Sequence, residues 1–125
     1  DIKTREKIIS DFYYEWKRSN PTQRLFNIDL KDYINIRHIS IIETVEHAAR
    51  TYLSTLAVLQ LDSILTMAKK VRIVNVKPKD KNQNQFEKMI KMEYELVGIG
   101  KVSLIVGVKR SNKEKVQYCI TAIKT

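Results

Sequence analysis

The last third of the chain alternates apolar and polar residues, which is the pattern of half-buried β-strands. Three alternating runs follow one another, from Ile90 to Leu96, from Val102 to Val108 and from Val116 to Ala122. The segments between them, GIGK and RSNKEK, are short and have the composition of turns. The pattern therefore predicts an antiparallel meander with the even-numbered residues in the core and the odd-numbered residues on the opposite face.

The first third has helical periodicity. In residues 1–19, apolar side chains at i, i+3 and i+4 form an aromatic-rich stripe that includes Phe12, Tyr13 and Trp16. Pro21 follows, and the residue before a proline is pushed out of helical geometry. The sequence therefore predicts an N-terminal helix that ends before this proline.

The middle of the chain predicts short strands around one long helix. LFNIDL and YINIR, within residues 24–37, alternate as one or two short strands do. SIIE, at Ser40 to Glu43, matches a capping box. From Ser40 to about Lys70 the pattern predicts a central helix, with a kink or a short break as the alternative. VRIVNV then predicts a further strand, followed by an exposed loop.

These elements predict an α+β fold with an N-terminal helix and one long central helix packed on an antiparallel sheet of about four strands. The composition does not shift along the 125 residues, so we expect one domain that spans residues 1–125. No apolar run is long and uninterrupted enough to cross a bilayer. The single cysteine, Cys119, excludes an internal disulfide framework and fits a reducing, cytoplasmic location.

The net charge of +9 makes polyanions the natural partners of the chain. Nucleic acid is the first expectation, because lysine and arginine side chains that neutralise phosphates release condensed counterions. An anionic membrane surface is the alternative on charge alone, and charge that serves only solubility is another. Six basic residues in and around the predicted strand VRIVNV form a candidate phosphate track. They are Lys69, Lys70, Arg72, Lys77, Lys79 and Lys81.

The odd-numbered face of the predicted meander is a candidate site for an anionic substrate. Its polar residues are Lys101, Ser103, Lys109, Gln117 and Thr121. The ordinary alternative is that an exposed antiparallel face is simply polar. However, a mid-strand glycine at Gly107 and the apolar Ile105 on the same face indicate that something covers part of it.

A stripe on the predicted long helix is a second candidate. Glu43, His47, Arg50 and Ser54 fall on one helical face. An imidazole beside a carboxylate can serve as a general base or acid near neutral pH. A solvated stripe with ordinary helix ion pairs is the alternative.

Several common sites are missing from the sequence. GIGK lacks the spacing and the following helix of a phosphate-binding loop. Two isolated histidines and one cysteine show no metal-ligand spacing. We therefore expect no metal and no cofactor, and any catalysis should be metal-independent.

The helix start ISIIETVEHAAR, with the later YELVGIGKVSLIVGVKR and KVQYCITAI, resembles the small nuclease-like domains of the barnase, EndoU, colicin and RelE superfamily. The similarity is to the toxin-like versions found on phage and other mobile elements, and it covers roughly Ile39 to Ile123. It implies a metal-independent endoribonuclease, in which a ribose 2′-hydroxyl attacks the adjacent phosphate. It also implies RNA or another nucleic acid as the partner, and an immunity or other partner protein.

On this resemblance, we assign His47 as the base or acid and Arg50 and Lys109 as phosphate stabilisers. Thr121 and Gln117 would orient the substrate, and Lys101 would contact the nucleic acid. Two alternatives to a ribonuclease remain. One is a catalytically inactive nucleic-acid-binding module that uses the basic residues 69–81, and the other is a protein-interaction domain that docks through the aromatic stripe of the N-terminal helix.

Overall fold

The structure is a computed structural model that describes all 125 residues, and it has an α+β architecture with four helices and one six-stranded sheet. The helices are α1 (Ile2–Ser19), α2 (His38–Ala48), α3 (Tyr52–Val58) and α4 (Leu61–Met67). The strands are β1 (Arg24–Asn27), β2 (Asp32–Asn35), β3 (Lys69–Val74), β4 (Phe86–Leu96), β5 (Gly100–Lys109) and β6 (Lys115–Ile123). None of the four helices is long and apolar enough to span a membrane.

The sheet has the strand order β1-β2-β6-β5-β4-β3. Strands β4, β5 and β6 pair in sequence as antiparallel neighbours, which confirms the predicted meander. The expected number of about four strands is wrong, because both short strands near the N-terminus and β3 join the same sheet. The sheet is also mixed, since β2 pairs with β6 in parallel through the residues Asn35 and Val116.

The predicted long central helix is wrong, since residues 38–67 form three shorter helices. The Thr51 hydroxyl accepts a hydrogen bond from the backbone N–H of Ser54 at 3.1 Å, so it caps a new helix at α3. Threonine and serine side chains compete for backbone groups in this way, which favours a break over a continuous helix. The predicted capping box is also wrong, because α2 starts at His38 and the Ser40 hydroxyl instead accepts the N–H of Arg37 at 3.0 Å.

The main core lies between the helices and one face of the sheet. Tyr13 and Trp16 from α1 are buried in it, and Phe12 packs against it. The indole N–H of Trp16 donates to the Asp62 carboxylate at 2.6 Å. The aromatic stripe is therefore part of the core, so it is not exposed for the docking of a partner protein.

A β-bulge in β6 changes which side chains face the core. Val106 pairs with Gln117 and Ile105 pairs with Cys119, so Tyr118 has no partner on β5. Alternation holds beyond the bulge, where Ile120 lies in the main core as predicted. Before the bulge every side chain is on the opposite face from the predicted one, as expected for one extra residue in a strand.

Gln117 is consequently buried on the helix side of the sheet. Its side-chain oxygen accepts from the Tyr13 hydroxyl at 2.7 Å, and its side-chain nitrogen donates to the Thr44 hydroxyl at 2.7 Å. Burial is the main reason that the pKa of Tyr13 is well above its usual value. This buried network connects α1, α2 and β6.

Strand β2 pairs with only one residue of β6. Two helices cover the rest of the outer edge of β6. The Ser54 hydroxyl of α3 accepts from the N–H of Ala122 at 2.9 Å and lies 3.3 Å from the carbonyl oxygen of the same residue. The Thr44 hydroxyl of α2 lies 3.5 Å from the carbonyl oxygen of Tyr118. With α2 held against the strand edge, one of its sides projects over the sheet face opposite the main core.

Candidate functional site

A cleft of about 500 Å³ lies on the sheet face opposite the main core. One wall is α2, the other is the loop of residues 75–85 between β3 and β4, and the floor is formed by the sheet. We call it the α2 cleft. Its lining residues are Glu43, Glu46, His47, Val74, Asn75, Lys77, Asp80, Asn82, Gln83, Met89, Ile105, Tyr118 and Cys119.

A second, smaller apolar cluster supports the floor of the α2 cleft. It contains Phe86, Met89, Val116 and Tyr118, and Ile105 packs against it. The ring of Phe86 lies directly over Gly107, where an added Cβ would meet ring atoms at 2.7 Å. The expectation that this part of the sheet face is covered is therefore confirmed, and the mid-strand glycine makes room for the covering ring.

Helix α2 contributes three side chains to the cleft at i, i+3 and i+4. Glu43 is buried, His47 is half-buried and Glu46 is exposed, and their donor atoms all lie within 4.8 Å of one another. The His47 Nε2 atom lies 3.4 Å from Glu43 Oε1. Carboxylate and imidazole groups at this spacing can exchange protons, and they are also groups that could hold a metal ion.

The loop wall is fastened to itself and to α2 by side-chain hydrogen bonds. The Asp80 carboxylate accepts the N–H of Asn82 at 2.8 Å, and the Gln83 carbonyl oxygen accepts the N–H of Lys77 at 2.9 Å. The side-chain amide of Asn82 donates to Glu43 Oε2 at 2.9 Å. The loop therefore places two carboxamide groups and a carboxylate beside the acidic side of α2.

Two protonated groups of β6 complete the floor of the cleft. Burial raises the pKa of Tyr118 well above its usual value, and the negative charges of Glu43 and Asp80 raise it further. Burial, together with the charge of Glu43, also raises the pKa of the Cys119 thiol to about 12. Both groups stay protonated at neutral pH, so neither is a nucleophile there.

We expect Cys119 to react slowly with thiol reagents in the folded protein. With a pKa of about 12, roughly one thiol in 10⁴ is ionised at about pH 8, and the thiolate is the reactive form. The reaction with an aromatic disulfide reagent, followed by absorbance at about pH 8, should be at least about 100-fold slower than in the same protein unfolded in urea. Similar rates in the two states would contradict the assigned environment.

The four residues predicted to be catalytic do not form one site. His47 lines the α2 cleft, whereas Arg50 is not among its lining residues and its exposed side chain lies 3.8 Å from Glu46. Thr121 pairs with Ser103 at one end of the sheet, and Lys109 lies at the other end of β5. Because a strand rises about 3.3 Å per residue, Lys109 and Thr121 lie roughly 20 Å apart.

Two predicted nucleic-acid contacts are also placed differently from the prediction. Gln117 is wholly buried, so its assignment to the exposed sheet face is wrong, and the bulge is the reason. Lys101 is on the expected face, but it forms an ion pair with Glu93 at 3.4 Å. Its positive charge is therefore partly neutralised within the protein.

The six basic residues between positions 69 and 81 are all exposed, and none of them forms an ion pair. Three of them, Lys69, Lys70 and Arg72, lie on β3, which is an edge strand of the sheet. The other three, Lys77, Lys79 and Lys81, follow on the loop that forms one wall of the α2 cleft. We call this surface the basic strip.

Sequence reasoning missed Glu46, Asp80, Asn82 and Tyr118 as lining residues of a cleft. The spacing of Glu43, Glu46 and His47 was a usable signal, because i, i+3 and i+4 positions share one helical face. Tyr118 was assigned to the main core because the bulge leaves no clear trace in the alternation. The loop residues could be connected to α2 only through tertiary structure.

Comparison of the chain with models of known protein families, with curated proteins and with solved structures gives no match. The resemblance to nuclease-like domains stays a prediction.

Proposed function

We propose that this chain is a nucleic-acid-binding domain that contacts RNA phosphates through the basic strip. The observation that carries this proposal is that the strip holds six exposed cations without a single ion pair, while other basic side chains, such as Arg37 with Glu114, pair with carboxylates. Unpaired, solvated cations can replace the counterions of a nucleic acid at little cost. The strand portion of the strip, from Lys69 to Arg72, extends along the sheet edge for about 10 Å at roughly 3.3 Å per residue, and the three lysines of the following loop continue it.

The test of this proposal is the salt dependence of binding. The affinity for a labelled single-stranded RNA, measured by fluorescence anisotropy, should fall linearly with salt on a double logarithmic plot. Six phosphate contacts predict a slope of about −4 for a single strand. Absent binding, or an affinity that does not change with salt, would overturn the proposal.

A metal-independent ribonuclease is the second candidate function. The observation that favours it is the pair of His47 and Glu43 inside a cleft that the basic strip borders through Lys77. In this version His47 is the proton-transfer group, Glu43 orients its ring, and Lys77 is the nearest cation for the phosphate. Arg50, Lys109 and Thr121 have no part in it.

The ribonuclease proposal predicts cleavage of RNA in the presence of a chelator. Gel analysis of total RNA should show products with the native protein, and the rate should fall by at least about 100-fold in the His47→Ala variant. The His38→Ala variant is the matched control, since its histidine is exposed at the start of α2 and lies outside the cleft. Intact RNA after long incubation at high protein concentration would exclude this activity. That result would not contradict the proposal that the basic strip binds RNA.

A further inference from the structure

The α2 cleft is an acidic site on a basic protein. Glu43, Glu46 and Asp80 line it together, and Lys77 is the one lysine or arginine among the lining residues. The chain as a whole carries a net charge of +9. The local excess of carboxylates favours a cation in the cleft.

Glu43 is the most unusual of these carboxylates. Its side chain is 5% exposed, yet no lysine or arginine forms an ion pair with it. Its carboxylate oxygens are contacted by the side-chain amide of Asn82 at 2.9 Å and by the imidazole of His47 at 3.4 Å. Buried carboxylates are normally compensated by a cationic side chain or a metal ion, and His47 is the one side chain in ion-pair distance of Glu43.

The Tyr118 hydroxyl is a second polar group on the floor of the cleft. Tyr118 is 4% exposed, and its hydroxyl lies beside Gln83 and Glu43. It adds an uncharged oxygen to the cleft next to the buried carboxylate.

We propose that the α2 cleft binds one divalent first-row transition-metal ion through Glu43, Glu46 and His47. Two carboxylates and an imidazole form a mixed oxygen and nitrogen set, which suits Zn²⁺, Mn²⁺, Co²⁺ and related ions. All three side chains come from one face of α2, so the coordination positions that face the open cleft are left for water or a substrate. Cys119 also lines the cleft, but its sulfur lies outside the group of donor atoms that come within 4.8 Å of one another.

The surroundings of these three side chains fit the same assignment. The side-chain amide of Asn82 donates to Glu43 Oε2, and metal-ligating carboxylates usually accept such a hydrogen bond from a neighbouring side chain. Glu46 must give up its contact with Arg50, but both side chains are more than half exposed. A pair of this kind is worth less than about 1 kcal/mol, so the metal ion displaces it easily.

The test is direct metal binding to the chelator-treated, tag-free protein. Isothermal titration with ZnCl₂ should give one saturable site per chain, and CoCl₂ should give visible absorption without a thiolate charge-transfer band. The variants Glu46→Gln and His47→Ala should each lower the Zn²⁺ affinity by at least about tenfold. Mg²⁺ should bind far more weakly, because it disfavours imidazole ligands.

Two features make the experiment decisive. Glu46 is exposed, so Glu46→Gln leaves the fold intact even if a change at the buried Glu43 does not. His38→Ala is the control for adventitious binding, and it should keep the native affinity. No saturable binding, or an affinity that is unchanged in Glu46→Gln and His47→Ala, would overturn the site. RNA binding by the basic strip needs no metal, so the proposed function stands or falls separately.

Discussion

Replacing Lys69, Arg72 and Lys79 together with glutamine should weaken binding to single-stranded RNA about 100-fold at 0.1 M salt. Each lost phosphate contact removes about 0.7 from the salt slope of a single strand, so three contacts remove roughly two powers of ten at this salt concentration. The slope itself should become shallower by about 2. Fluorescence anisotropy over a series of salt concentrations measures both quantities.

The matched control removes three positive charges from a different part of the protein surface. Lys3, Lys17 and Lys124 lie outside the basic strip and form no ion pairs, so their replacement with glutamine lowers the net charge equally. This variant should lose less than about fivefold in affinity, because it lowers only the long-range attraction. Equal losses in the two triple variants would show that total charge, and not the basic strip, determines binding.

The regular parts of the fold could be predicted from the sequence because local periodicity determines them. The meander of β4, β5 and β6 was visible as alternation, and α1 was visible as a stripe that ends before Pro21. The breaks near Thr51 and Gln60 were harder to predict, since both lie inside one continuous helical pattern. Capping by a single hydroxyl decides the break at Thr51, and pattern reasoning gives it little weight, whereas Gln60 makes no side-chain cap hydrogen bond.

The candidate site could be predicted less well, because it depends on long-range placement. Position 118 shows the reason. One extra residue in β6 exchanges the faces of Gln117 and Tyr118, which moves a predicted substrate contact into the core and a predicted core residue into the cleft. The basic strip could be predicted, because exposed charge on a short strand and a loop requires no knowledge of tertiary contacts.

The loop of residues 75–85 connects the two proposed surfaces. Lys79 and Lys81 are exposed on it, whereas Asp80 between them is half-buried and lines the cleft. Lys77 belongs to both surfaces. A phosphate strand on the basic strip would thus run along the rim of an acidic cleft, and a metal ion there would add a positive charge beside it.

Replacing Gln117 with methionine should destabilise the protein by about 1–3 kcal/mol, although methionine has nearly the same shape. The change leaves the buried Tyr13 hydroxyl without its 2.7 Å acceptor, and the Thr44 hydroxyl without the amide at 2.7 Å. Urea unfolding followed by circular dichroism measures the loss. If Gln117 instead lay on the exposed sheet face, the same change would alter stability by less than about 0.5 kcal/mol.

The Tyr13→Phe variant turns this measurement into a test of the buried network itself. Alone, it should cost about 1 kcal/mol, because it removes the donor and leaves the Gln117 oxygen unsatisfied. The double variant Tyr13→Phe with Gln117→Met removes both the donor hydroxyl and the acceptor oxygen, so neither remains buried without the other. Its cost should therefore be smaller than the sum of the single changes by about 1 kcal/mol. Additive costs would mean that the two residues do not share a hydrogen bond, and that the bulge does not turn Gln117 towards α1.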